Sequence, residues 1–146
     1  MAVMKEVLRC SSIVFGGIPH YTTKSVDVGQ FTIPSGTTVI ANVAYCMHDP
    51  LKWSNPERFD PERFLKDPNN PNFIPFLVGK RFCLGKSLGE SQLLIFLTTL
   101  VKSFTFVIPE GFTLPSYQLF PNDGSLSSRS IIRYAPAYKV KMIPRS

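Results

Sequence analysis

The sequence predicts a mainly α-helical chain with small β-sheets, and three observations carry that expectation. An amphipathic stretch over residues 1–11 and a longer apolar one over 84–103 both follow helical spacing. Between and after them lie short, β-branched pieces broken by proline and glycine, which suit brief strands and tight turns. The 146 residues suffice for one modest domain, and 44% hydrophobic against 18% charged residues is the balance of a chain that buries a core.

Each element has its own justification. In residues 1–11, Val3, Val7 and Leu8 fall on one side, and Glu6 and Arg9 are close enough to pair. No capping residue precedes this helix, so the chain is expected to begin inside an element, as a C-terminal piece or a truncated product would. Residues 13–20 are apolar and glycine-broken, and Pro19 ends any helix there. Strands are expected at 21–28, 31–33 and 37–43, around a Pro34-Ser35-Gly36 turn, followed by a short helix at 43–49 closed by Pro50. Residues 53–72 contain Pro-Glu-Arg-Phe twice and read as an ordered, irregular loop pinned by Phe59 and Phe64. In 84–103, Leu93, Leu97, Leu100 and Val101 keep helical spacing while Ile95 and Phe96 widen the apolar surface, so this helix is expected to be buried on most sides. Strand-like pieces at 104–108 and 138–143 follow.

Charge and cysteine usage exclude several classes. The net charge of +6 comes without a compact Lys/Arg block, which argues against nucleic-acid binding. Cys10, Cys46 and Cys83 are too far apart for a CxxC zinc site and too few for a disulfide framework, which points to a reducing compartment. No secretory leader or membrane span is visible; the run Leu93-Leu94-Ile95-Phe96-Leu97 is far too short for one.

The chemistry concentrates in Phe76-Leu77-Val78-Gly79-Lys80-Arg81-Phe82-Cys83-Leu84-Gly85. Lys80, Arg81 and the positive end of the following helix all favour a thiolate at Cys83. Gly79 and Gly85 allow positive φ or close approach by a flat partner. Such a thiolate could be a nucleophile, a redox thiol or a metal ligand. A nucleophile would want a histidine base, and neither His20 nor His48 lies in a catalytic signature. A redox thiol would want a resolving cysteine close in sequence. A metal bound by one thiolate, with a cofactor supplying the other ligands, remains open, and haem is such a case. The plainer readings are a buried, inert cysteine and an exposed Glu6–Arg9 helix pair.

Three patterns, taken together, resemble one family. Phe76-x-x-Gly79-x-Arg81-x-Cys83-x-Gly85 resembles the haem-binding signature of the cytochrome P450 family. Glu6-Val7-Leu8-Arg9 resembles its ExxR motif, and Pro56-x-x-Phe59-x-Pro61-Glu62-Arg63-Phe64 its PxxFxPxRF meander. The likeness runs over nearly the whole chain, and the wording around Gly-Ile-Pro-His is closest to the microsomal, animal-type branch. It implies residues 1–146 as a single partial domain, the C-terminal haem-binding portion of the cytochrome P450 fold.

The resemblance implies specific roles. Cys83 would be the axial thiolate of haem b (iron protoporphyrin IX), with Phe76 shielding the sulfur and Gly79 and Gly85 letting the loop lie against the porphyrin. Arg81 and His20 would contact the propionates. Glu6, Arg9 and Arg63 would form a buried structural network, Arg58 being the rival for the third place. Residues 14–18 and 130–132 would face substrate, with Phe15, Ile18, Ile131 and Ile132 as an apolar lining and Gly16-Gly17 leaving room. The implied activity is monooxygenation of a small apolar substrate with O2. Electrons would come from an NADPH-dependent flavoprotein reductase, attracted by Lys80 and Lys86 unless these are merely solvated charges. The implied location is the cytosolic face of the endoplasmic reticulum membrane. Gly89 departs from the family's usual alanine, and the distal acid-alcohol pair and membrane anchor would lie before residue 1. Alternatives are a haem-binding remnant without catalysis and a thiolate-haem isomerase or dehydratase; the piece alone is expected to be inactive.

Overall fold

A computed structural model describes residues 1–114, 132, 135 and 137–145. Helix α1 (Ala2–Ser11) turns its charged side inward: Met4, Glu6, Arg9 and Cys10 are buried, whereas Val3 is exposed. The Val3 side expected to lead the packing therefore does not. Ser12, in the left-handed region at φ 38°, ends the helix and donates its N–H to the Leu8 carbonyl.

Two small hairpins follow. Strand β1 (His20–Tyr21) pairs antiparallel with β4 (Thr38–Val39), placing His20 opposite Val39. Nested between them, β2 (Val26–Val28) pairs with β3 (Phe31–Ile33) across a two-residue turn in which Gly29 takes φ 59°. The strand expected over 21–28 is thus split in two. The one expected over 37–43 stops at Val39, because Asn42 is taken by the next element. Its Oδ1 accepts the Tyr45 N–H at 3.1 Å and caps α2 (Val43–Cys46).

The stretch over 53–72 is mostly irregular but contains one short helix, α3 (Arg63–Lys66). Phe64 anchors it, with ring centroids 5.8 Å from Trp53 and 4.9 Å from Phe73. Phe59, expected to share that task, is half-exposed at the surface. Lys5 of α1 closes over the same cluster, donating to the Pro68 carbonyl with its ammonium near the Phe64 and Phe73 rings.

Helix α4 (Lys86–Ser103) begins two residues later than the spacing suggests and buries none of its residues. Ile95 and Phe96 are 63% and 65% exposed, so the expectation of a helix covered on most sides fails. Apolar periodicity reports which faces favour cover; it does not report whether the chain supplies it. The main neighbours of α4 among the described elements are α1 and β5 (Phe104–Val107). Strand β5 pairs antiparallel with β6 (Lys141–Pro144), which starts later than the piece expected over 138–143. Arg145 fastens this hairpin to the end of α4, donating its N–H to the Ser103 carbonyl at 2.8 Å and its Nε to Thr105 Oγ1 at 3.2 Å. Among the described residues no helix is long and apolar enough to cross a membrane.

Candidate functional site

Glu6 is the centre of a buried charge cluster. Arg9 grips it in a two-pronged pair, Nε to Oε2 and Nη2 to Oε1, each at 2.9 Å. Oε1 also accepts the Asp60 N–H at 2.9 Å and Arg63 Nε at 3.2 Å. The outer guanidinium hydrogens go to main-chain carbonyls: Arg9 Nη1 to Met47, and Arg63 Nη1 to Ser54, both at 3.0 Å. Arg58 enters through its backbone, its carbonyl accepting from both Arg9 Nη2 and Arg63 Nη2. The third side chain of the cluster is therefore Arg63. Burial works to raise the pKa of Glu6, but the Arg9 hydrogen bond, the Asp60 N–H and the charges of Arg9 and Arg63 outweigh it and hold the carboxyl below its ordinary value.

Two members of this cluster carry little sequence signal. Trp53 is the platform: the Arg9 and Arg63 guanidinium carbons lie 5.4 and 6.0 Å from its ring, and its indole N–H donates to the Cys46 carbonyl at 3.0 Å. Cys10, one turn beyond Glu6, accepts from Arg9 Nη2 at 3.1 Å and faces Glu6 Oε1 at 3.6 Å. Burial pushes its thiol up to about 12, so it is no reactive group at neutral pH. Its position four residues after Glu6 was the only available hint.

The cysteine loop is built by short backbone bonds. Cys83 N–H donates to the Phe76 carbonyl at 2.9 Å, and the Cys83 carbonyl accepts the Lys86 N–H at 3.2 Å, at the start of α4. Gly79 takes φ 76° and opens a single 3₁₀ turn over Gly79–Arg81, a conformation that a side chain would strain. Gly85 differs: its φ is −79°, so positive φ is not its reason to be glycine. A Cβ there would lie 3.8 Å from the Cys83 sulfur. Cys83, Lys80, Arg81 and Lys86 are all exposed. Phe76 is half-buried and lies against α4, its ring 3.6 Å from where a Gly89 Cβ would be, and the neighbouring Cys83 remains open rather than shielded.

The two apolar segments meet. Val14 and Ile132 form an antiparallel β-bridge, joining stretches well over a hundred residues apart in sequence. Phe15 is half-buried and its carbonyl accepts the Ala44 N–H at 3.0 Å, whereas Ile18 and Ile132 are exposed. Ile131 lies outside the described residues. The space at Gly16-Gly17 is filled by the protein itself. A Cβ on Gly16 would sit 3.2 Å from Ile40 Cγ2, and one on Gly17 would sit 3.3 Å from Leu77 Cδ2. His20 is exposed on β1.

The family model for cytochrome P450 matches residues 1–130. The chain belongs to the cytochrome P450 family. It is 41% identical over 120 residues to Cytochrome P450 2D14 of Bos taurus, covering 80% of this chain and 24% of that protein. It is 39% identical over 132 residues to Vitamin D(3) 25-hydroxylase of Sus scrofa (84% and 26%). A solved zebrafish cytochrome P450 with abiraterone superposes with a TM-score of 0.82 at 33% identity, over 99% of this chain and 32% of that one. The chain therefore spans about a quarter of the length of its curated P450 relatives, and its fold is part of the cytochrome P450 fold. Membership implies a haem cofactor.

Proposed function

We propose that residues 1–146 are a single partial domain, the haem-binding part of a haem-thiolate monooxygenase in which Cys83 is the iron ligand. The carrying observation is the Cys83 loop: an exposed thiol at the start of an 18-residue helix, behind a glycine held at φ 76°. These residues fit haem b. A single soft thiolate suits an iron whose other ligands come from the porphyrin, and the Cys83 thiol is exposed and so within reach of such a group.

When bound, haem supplies the O2-dependent redox chemistry, and thiolate ligation favours O–O cleavage. The chain's own residues do the holding. The Phe76 carbonyl fixes the Cys83 backbone, and the Cys83 carbonyl accepts the Lys86 N–H at the start of α4. Arg81 and His20, both exposed cations or potential cations, would bind the propionates. Glu6, Arg9 and Arg63 lock α1 to the segment that leads into the cysteine loop. Phe15, Ile18, Ile131 and Ile132 would line an apolar substrate space, and the Val14–Ile132 bridge supports their acting together. Lys80 and Lys86 would face an acidic, NADPH-dependent flavoprotein reductase at the endoplasmic reticulum membrane. The 146 residues alone would hold haem weakly and be inactive, since Cys83 is exposed and no residue of α4 is fully covered.

Labelling with 18O2 tests the reaction class. The whole protein, reconstituted with reductase and NADPH and offered a panel of apolar substrates, should place one labelled atom in the product. Product formed without O2 and without label would instead favour a thiolate-haem isomerase or dehydratase.

A further inference from the structure

Leu77 is one of three non-glycine residues with positive φ among the described residues, at 61°. An unbranched-at-β but bulky side chain is disfavoured there, so something must hold it. It sits between Phe76, whose carbonyl receives the Cys83 N–H, and the turn that begins at Gly79. The left-handed backbone aims the Leu77 side chain at Gly17, which is itself left-handed at φ 61° and buried. A Cβ on Gly17 would lie 3.3 and 3.5 Å from the two Leu77 methyl carbons. The two unusual conformations thus answer each other, and the absent side chain at Gly17 is the slot that Leu77 occupies. Gly17 also donates its N–H to the Val14 carbonyl at 3.3 Å, and Val14 is bridged to Ile132.

We infer that Leu77 is a positioning residue that ties the Cys83 loop to the apolar 13–18 segment through its seat on Gly17. Bulk or displacement in that segment then reaches the iron ligand through Leu77, Phe76 and the Phe76–Cys83 backbone bond. This rests on Cys83 being the haem ligand.

A double-mutant cycle in the whole, haem-loaded protein tests it, with Gly17→Ala, Leu77→Ala and the pair. The readout is the rate at which the thiolate-type reduced carbon-monoxide band is lost, with the thermal melting midpoint measured in parallel. Any φ cost of alanine at residue 17 is common to both backgrounds and cancels, leaving the contact. The fold-change caused by Gly17→Ala should be about tenfold larger in the Leu77 background than beside Leu77→Ala. Equal fold-changes in both backgrounds, or melting that shifts while the band does not, would overturn the inference. Leu77→Gly provides a second arm if Gly17→Ala does not fold. It suits φ 61° but empties the slot, so faster loss supports the contact and slower loss refutes it. A wild-type protein without any thiolate-type band would instead refute the haem assignment itself.

Discussion

Glu6 and Arg9 are fully buried, while Cys83 and every residue of α4 are not. Among the described residues all the fully buried ones lie at or before Phe64; none lies after it. The first region holds a multiply charged cluster in a dry interior, and it does so because each formal charge and most guanidinium hydrogens find partners within the chain. The second presents its chemistry outward, on a loop held by the Cys83–Phe76 and Lys86–Cys83 backbone hydrogen bonds and by the seat of Leu77 on Gly17. Charge in the interior is tolerable only with complete pairing, so the first region must be self-contained. A cofactor ligand has the opposite requirement: it must be reachable.

Breaking the buried cluster gives the largest effect. Glu6→Ala strands two guanidinium groups and should cost about 3–5 kcal/mol, seen as a fall in the urea midpoint. The same carboxyl sets a pH dependence. Its folded pKa lies below the ordinary 4.5, so its contribution is present above that value and is lost as pH falls through the depressed one. Urea midpoints measured from pH 7 downward should show this decline in the wild type and lack the Glu6 share of it in Glu6→Gln.

Arg63→Ala should cost about 1.5–3 kcal/mol, because it deletes hydrogen bonds to a buried carboxylate and to main-chain carbonyls. Arg58→Ala should stay within about 0.5 kcal/mol, since only its backbone carbonyl serves the cluster. Equal effects of the two substitutions would reverse the assignment of the third place. A change of opposite sign belongs to the open region. Gly89→Ala should stabilise by up to about 1 kcal/mol through helix propensity, its Cβ meeting the Phe76 ring at an ordinary 3.6 Å. A lowered melting midpoint would mean that Phe76 cannot accept that contact.

Much of both regions is legible in the sequence. The Glu6–Arg9 spacing, the duplicated Pro-Glu-Arg-Phe and the glycine-bracketed cysteine each mark their positions in sequence. What remained hidden was whatever depends on partners distant in the chain. Carbonyls of Met47, Ser54 and Arg58 leave no trace in residue identity, since every residue has one. Trp53 gave no sign that two arginines would lie over it. The inward charged side of α1 is invisible to hydrophobic periodicity, which ranks Val3 and Val7 above Glu6. The same blindness made α4 look buried: Ile95 and Phe96 are apolar, but nothing in their spacing says what covers them. Leu77 was unreadable for a local reason, because leucine seldom takes the left-handed conformation that Gly17 accommodates.

The role of Cys83 is tested most directly by the spectrum of the reduced whole protein under carbon monoxide. The expected result is a red-shifted, thiolate-type Soret band in the wild type that is absent from Cys83→Ala. A thiolate-type band that survives in Cys83→Ala would contradict the assignment.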